Sequence, residues 1–312
     1  MLKPPIGVLV MAYGTATGPE DVERYYTDIR GGRAPSPELL EELRGRYAAI
    51  GNRFPLLEIT ERQAAGLQRI LDEREPGRFR IYPGMKHSPP FIAEGVQKMK
   101  ADGVERAVGL VLAPHYSRLS IGRYIERVEK AVAEVGGPSF TFVKSWYDHP
   151  AFIELLASRI EDARAMLPRE AGEEAMVIFS AHSLPARIED EGDPYPRELQ
   201  ETADAVAGRL GLTDYMIGWQ SAGRTSEPWL GPDLSELIRQ LAEKGYPAVV
   251  VCACGFVADH LEILYDLDIE AKKEAEVAEI AFARTESMND DPRFVDVLAR
   301  VVRDHLSTEG DG

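Results

Sequence analysis

Cysteine is almost absent. Cys252 and Cys254 are the only two in 312 residues. That excludes a disulfide framework and leaves too few thiolates for an iron–sulfur cluster, which takes four. Long apolar runs are missing as well. The longest lies around residues 248–258, well short of the ~20 residues that span a bilayer. The first residues lack the basic-then-apolar form of a signal peptide, and with so little cysteine a cytoplasmic location is expected. Positive charge is in deficit, with 36 Lys and Arg against 52 Asp and Glu, a net charge of −16. Such a field repels a phosphate backbone, so nucleic acid is excluded as a partner, whereas metal cations are attracted. No GxGxxG fingerprint and no phosphate-cradling GxxxxGK[ST] loop occurs, so alternating strands and helices need not imply a nucleotide cofactor.

What is present is a repeated α/β pattern. Near-continuous apolar runs at 6–13, 79–86, 107–115 and 140–146 read as strands covered on both faces. Helical stretches at 36–50, 60–75 and 121–135 lie between them. Ser36 is a helix cap, and Thr60 with Gln63 has capping-box spacing. The second half repeats the scheme, with strands at 175–180, 215–219, 248–254 and 279–284 and helices at 196–210, 233–244 and 259–275. A last helix, 292–306, is expected to pack back on the body. The expected fold is α/β, with two Rossmann-like parallel-sheet domains facing a central cleft. Domain boundaries are read at 1–147, 148–288 and 289–312. Residues 113–117 (Ala-Pro-His-Tyr-Ser) and 180–184 (Ser-Ala-His-Ser-Leu) echo each other at strand ends. Ligands of open parallel sheets bind beyond the carboxyl ends of the strands, where Tyr13, Lys86, His87, His115, His182 and Gln220 fall.

Three groups of residues could carry chemistry. His182 is delivered by an apolar strand to a turn closed by Pro185, and imidazole both takes protons near neutrality and binds transition metals. Asp259, Glu262, Asp266 and Glu270 are spaced three, four and four, which at helical periodicity places all four on one face. Glu262, in the first turn, is positioned to act beside His182 across the cleft. A mixed His and Glu site accepts Fe(II) without the thiolates that would hold it too tightly for release. The third group is the Tyr- and Arg-rich first half: Tyr13, Tyr25, Tyr26, Arg30, Arg33, Arg46, Tyr47, Arg53, Lys86 and Tyr124. A flat apolar ligand with carboxylate arms needs such walls and such a rim. Taken singly, most of these arginines would be ordinary solvated surface.

Several motifs, met in order along nearly the whole chain, resemble the ferrochelatase family. They are Val10-Met11-Ala12-Tyr13-Gly14-Thr15, Ser180-Ala181-His182-Ser183-Leu184-Pro185, Gly218-Trp219-Gln220-Ser221, Trp229-Leu230-Gly231-Pro232-Asp233 and the stretch from Gly255 to Asp266. The segments beginning at Glu23, Arg44, Leu112 and Ser145 are similar to the soluble Gram-positive coproporphyrin III ferrochelatases. The resemblance implies a lyase of haem biosynthesis that inserts Fe(II) into coproporphyrin III, with protoporphyrin IX insertion or a non-catalytic porphyrin carrier as alternatives. It implies His182 and Glu262 as the catalytic, iron-handling pair and Tyr13 as axial ligand to the product iron. Tyr13, Ile29, Arg30, Arg46, Tyr47, Phe54, Lys86 and Tyr124 would surround the macrocycle, and Asp266 and Glu270 would take a second cation. Phe54 departs from the subgroup, where the position can be small and polar. No cofactor is required, since iron is a substrate. Transient contacts with haem-pathway enzymes, no membrane insertion and a monomeric state are expected.

Overall fold

Val-, Ile- and Leu-rich runs too short for helices set the strands. In the computed structural model, which describes residues 4–310, they form two four-stranded sheets. The first holds β1 (Ile6–Ala12), β2 (Phe79–Met85), β3 (Arg106–Val111) and β4 (Ser139–Val143), in the order β2-β1-β3-β4. The second holds β5 (Met176–His182), β6 (Met216–Gln220), β7 (Ala248–Cys252) and β8 (Ala281–Arg284), in the order β6-β5-β7-β8. Every pairing within the two sheets is parallel. Each sheet thus has the same internal order, in which β5 is the counterpart of β1 and β7 that of β3. The echo of residues 113–117 and 180–184 therefore joins the ends of non-equivalent strands, β3 and β5.

The helices of the first half are α1 (Val22–Ile29), α2 (Pro37–Ala49), α3 (Leu56–Arg74), α4 (Ile92–Ala101) and α5 (Ile121–Val135). Those of the second are α6 (Pro150–Ala165), α7 (Arg169–Glu173), α8 (Arg187–Asp190), α9 (Tyr195–Leu210), α10 (Leu234–Glu243), a π-helix (Ile263–Ala271), α11 (Lys272–Val277) and α12 (Pro292–Thr308). Ser36 caps α2 as expected, its Oγ accepting from Leu39 N–H at 3.4 Å. The expected start of α3 at Thr60 is wrong. The helix begins four residues earlier, and Thr60 sits inside it with its hydroxyl donating to the Leu56 carbonyl. Gln63 caps nothing; its amide reaches the Asn289 carbonyl at 2.7 Å.

Alternation along each strand splits the core. Val8 and Val10 of β1 share one cluster with Val177 and Phe179 of β5, Phe152 and Ile160 of α6, and Phe294 and Leu298 of α12. Leu9 and Met11 turn to the opposite face, under Ile92 and Val96 of α4 and Ile121 and Val128 of α5. In the second sheet, Ile178, Val249 and Val251 meet Leu237 and Ile238 of α10 and Leu267 of the π-helix. The last helix, α12, packs against α3, α6 and β4. The carboxyl ends of β1, β2 and β3 in one sheet and of β5 in the other border a single cleft.

Candidate active site

The cleft has a volume of about 580 Å³ and is lined from both halves. β1 delivers Tyr13 to one wall, where the side chain is 42% exposed. The next residue must be glycine. Gly14 has φ +98°, and a Cβ there would stand 2.6 Å from the Ser88 hydroxyl. Tyr13 is flanked by the His87 ring, 4.6 Å between centroids, and by the Lys86 ammonium 5.6 Å from its ring. His87 in turn is fixed by Asp28, Nδ1 to Oδ1 at 2.6 Å. Although part of Tyr13 is open to the cleft, desolvation of its phenol by the surrounding walls, seconded by the Glu262 charge, raises it above the usual range. Burial and the neighbouring Arg127 and Arg123 push the Lys86 amine down to about 8.

β5 delivers His182 to the other wall. Its Nδ1–H donates to the Ser183 carbonyl at 2.5 Å, which fixes the tautomer and turns Nε2 towards Glu262 Oε1, 3.6 Å away. His260 repeats the device: Nδ1–H donates to the Ala258 carbonyl at 2.9 Å, and Nε2 stands 3.5 Å from Glu262 Oε2. One carboxylate is thus held between two imidazoles. His182 and Glu262 are each about a third exposed, facing the cleft. Burial alone would lower the His182 value, but the Glu262 charge overrides it and carries the imidazole to about 8. Burial likewise acts upward on Glu262, and the two imidazoles outweigh it, holding the carboxyl well below its usual range.

The acidic stripe is only partly a stripe. Helical structure starts at Leu261, and the wide π turn follows Glu262 at once. Asp259 lies before the helix, where its carboxylate accepts from Ser287, Asn289 and Arg284. The expected common face of four carboxylates is therefore corrected to three, beginning at Glu262. Asp266 is buried and accepts from the Ser221 hydroxyl; burial and the Glu262 charge raise its carboxyl to about 6. The Arg46 guanidinium faces Asp266 at 3.9 Å and Glu270 at 4.0 Å, and lies 4.7 Å from the Tyr265 ring. Among the described residues, no group of three His, Cys, Asp or Glu side chains is arranged to hold a metal ion.

Tyr13, Ile29, Arg46, Tyr47, Lys86, Tyr124, His182 and Glu262 all line the cleft. Arg30 and Phe54 do not. The Arg30 guanidinium lies 5.8 Å from the ring of Tyr26, itself a lining residue, and Phe54 stacks on Tyr47 at 4.5 Å. His260 was missed at the sequence level. A helix starting at Asp259 turns residues 260 and 262 apart, whereas the later start leaves His260 in the irregular segment just before the helix, with Nε2 beside Glu262.

The ferrochelatase family model matches residues 5–306. The chain belongs to the ferrochelatase family. It is 50% identical to the coproporphyrin III ferrochelatase of Anoxybacillus flavithermus, covering 100% of this chain and 99% of that protein. It is 47% identical to the protein of the same name from Bacillus subtilis, over 97% of this chain and 98% of that one. Among solved structures, SirB from Bacillus subtilis with Fe3+ superposes with a TM-score of 0.62 at 12% identity, covering 98% of both chains. At that identity the likeness concerns the fold alone: the two-sheet ferrochelatase architecture described above is shared with that protein.

Proposed function

We propose that the chain inserts Fe(II) into coproporphyrin III to give Fe-coproporphyrin III in haem biosynthesis. The observation that carries this reading is the pairing across one cleft: Tyr13 on one wall, and His182 with Glu262 on the other. A flat macrocycle between them has a phenol on one face and a proton-accepting pair on the other. Apolar and aromatic side chains, Ile29, Tyr47, Leu119 and Leu184 among them, offer the walls, while Arg46 and Lys86 offer charge to propionates.

In this reading the neutral form of His182 accepts the two pyrrole protons one after the other at Nε2, releasing the first to the water of the cleft before it takes the second, because Nδ1 is committed to the Ser183 carbonyl. Glu262 stabilises the imidazolium that forms and helps to receive the incoming iron. Tyr13 faces the product iron from the opposite side. The site takes iron as a substrate in transit, and mixed imidazole and carboxylate donors suit a metal that must be handed on. A macrocycle bent by the walls exposes its nitrogen lone pairs, so binding energy is used to approach the transition state. No helix among the described residues is long and apolar enough to cross a membrane. The deciding experiment is turnover of coproporphyrin III beside protoporphyrin IX under matched detergent-free conditions. A higher kcat/KM for protoporphyrin IX refutes the substrate assignment, and no insertion into either refutes the activity.

A further inference from the structure

We propose that Glu198 is a positioning residue of the insertion reaction: it fastens the β3–α5 loop of the first half to the helix that supports His182. The proposal rests on the function given above. Four successive loop residues are gripped by three side chains of the second half. His115 Nε2 meets the Thr202 hydroxyl at 2.9 Å, and Tyr116 N–H donates to Glu198 Oε2 at 2.6 Å. The Ser117 hydroxyl and Arg118 N–H both donate to Asp193 Oδ2, at 3.0 and 2.8 Å. Asp193, Glu198 and Thr202 are all buried, and the last two lie one turn apart on α9. From the first residue of the same helix, the Tyr195 hydroxyl donates to the carbonyl of His182 at 3.0 Å. A slip of α9 against the loop therefore moves the peptide that carries the proton acceptor. Misplacement by about 1 Å can cost on the order of 100-fold in rate.

The burial of Glu198 also makes its charge sensitive to pH. Burial pushes its carboxyl up to about 7, Glu201 adding to the rise, while Tyr116 N–H, Arg197 and the Ser145 hydroxyl pull the other way. Tyr147, which bonds Glu201 and feels the charges of Asp148 and Glu198, His115, held neutral by burial, and Asp193 lie in the same cluster. Once ionised, the carboxylate accepts from Tyr116 by a charge-assisted bond, roughly twice as strong as a neutral one.

The test uses the full chain, Zn(II) insertion into coproporphyrin, and the His182 ring resonances of the metal-free protein. Glu198→Ala is expected to lower kcat about tenfold with KM changed less than about twofold, and to move the His182 signals. Glu198→Gln keeps a neutral acceptor. It should match wild type below about pH 7 and fall behind above it, which also decides the matter if the alanine variant fails to fold. Unchanged kcat and unmoved His182 signals in Glu198→Ala, or a glutamine variant that follows wild type at every pH, overturn the proposal. Should wild type insert no metal, the functional reading fails, and the His182 signals alone still decide whether Glu198 positions that residue.

Discussion

Replacing Glu262 with glutamine keeps the size of the side chain and removes the charge that His182 and His260 face. Two unit charges 3.6 Å apart attract by about 4–5 kcal/mol at an effective dielectric near 20. Burial of the imidazole opposes that attraction. The net rise from 6.5 to about 8 corresponds to about 2 kcal/mol, and water in a cleft to which the ring is a third exposed reduces it to about 1 kcal/mol. In Glu262→Gln the attraction is gone and the burial remains, so His182 should titrate at or below 6.5. The measurement is a proton NMR titration of the metal-free protein, with Glu262→Gln/His182→Gln used to assign the signal. Stability follows the same sign. The folded value of His182 lies above its unfolded one, so the pair's stabilisation is complete below about 6.5 and disappears as pH rises through about 8. The stability difference between wild type and variant should shrink over that window, and metal insertion by the variant should fall steeply at every pH. A His182 that still titrates near 8 in Glu262→Gln would refute the argument.

His182→Ala should abolish metal insertion while the porphyrin affinity, read by fluorescence quenching, changes only a few-fold; insertion near the wild-type rate would contradict its role as proton acceptor. Arg46→Ala should raise the KM for coproporphyrin more than it lowers kcat, and more than Arg30→Ala does, because Arg46 lines the cleft and Arg30 does not. Asp266→Asn should retain more activity than Glu262→Gln, since Asp266 meets Ser221 and Arg46 rather than His182. Anaerobically purified protein should show no iron–sulfur absorption bands, because Cys252 and Cys254 are two thiols where a cluster takes four ligands.

The inner strands β1, β3, β5 and β7 were legible because burial on both faces leaves them almost wholly apolar, and such runs stand out in any window. The place of Tyr13 and His182 on the cleft was legible because each stands at the carboxyl end of a strand, and that of Glu262 because its stretch resembles a family motif. What was hidden depends on distant partners. The start of α3 could not be seen because Thr60 and Gln63 imitate a cap, while their true partners are the Leu56 carbonyl and the Asn289 carbonyl, the latter 226 residues away. The place of Asp259 depends on Ser287, Asn289 and Arg284, which no periodicity connects to it. The π-helix after Glu262 has no sequence signature of its own, so turns wider than 3.6 residues could not be anticipated there. The grip of Asp193, Glu198 and Thr202 on residues 115–118 joins two segments that read separately as an ordinary helix and an ordinary loop.

The matching strand orders have a consequence for how a flat ligand is told front from back. Tyr13 follows β1 and His182 ends β5, so the two occupy the same topological address in two copies of one architecture. A single open sheet offers one crevice at that address, where its order reverses between the first and third strands. Two such crevices turned towards each other make a sandwich with unlike slices, a phenol above and an imidazole paired with a carboxylate below. The chemistry of each face is then written in a separate half of the chain. An enzyme that must bind a symmetrical disc yet treat its two sides differently gains that asymmetry from a fold used twice with a different residue at one shared address.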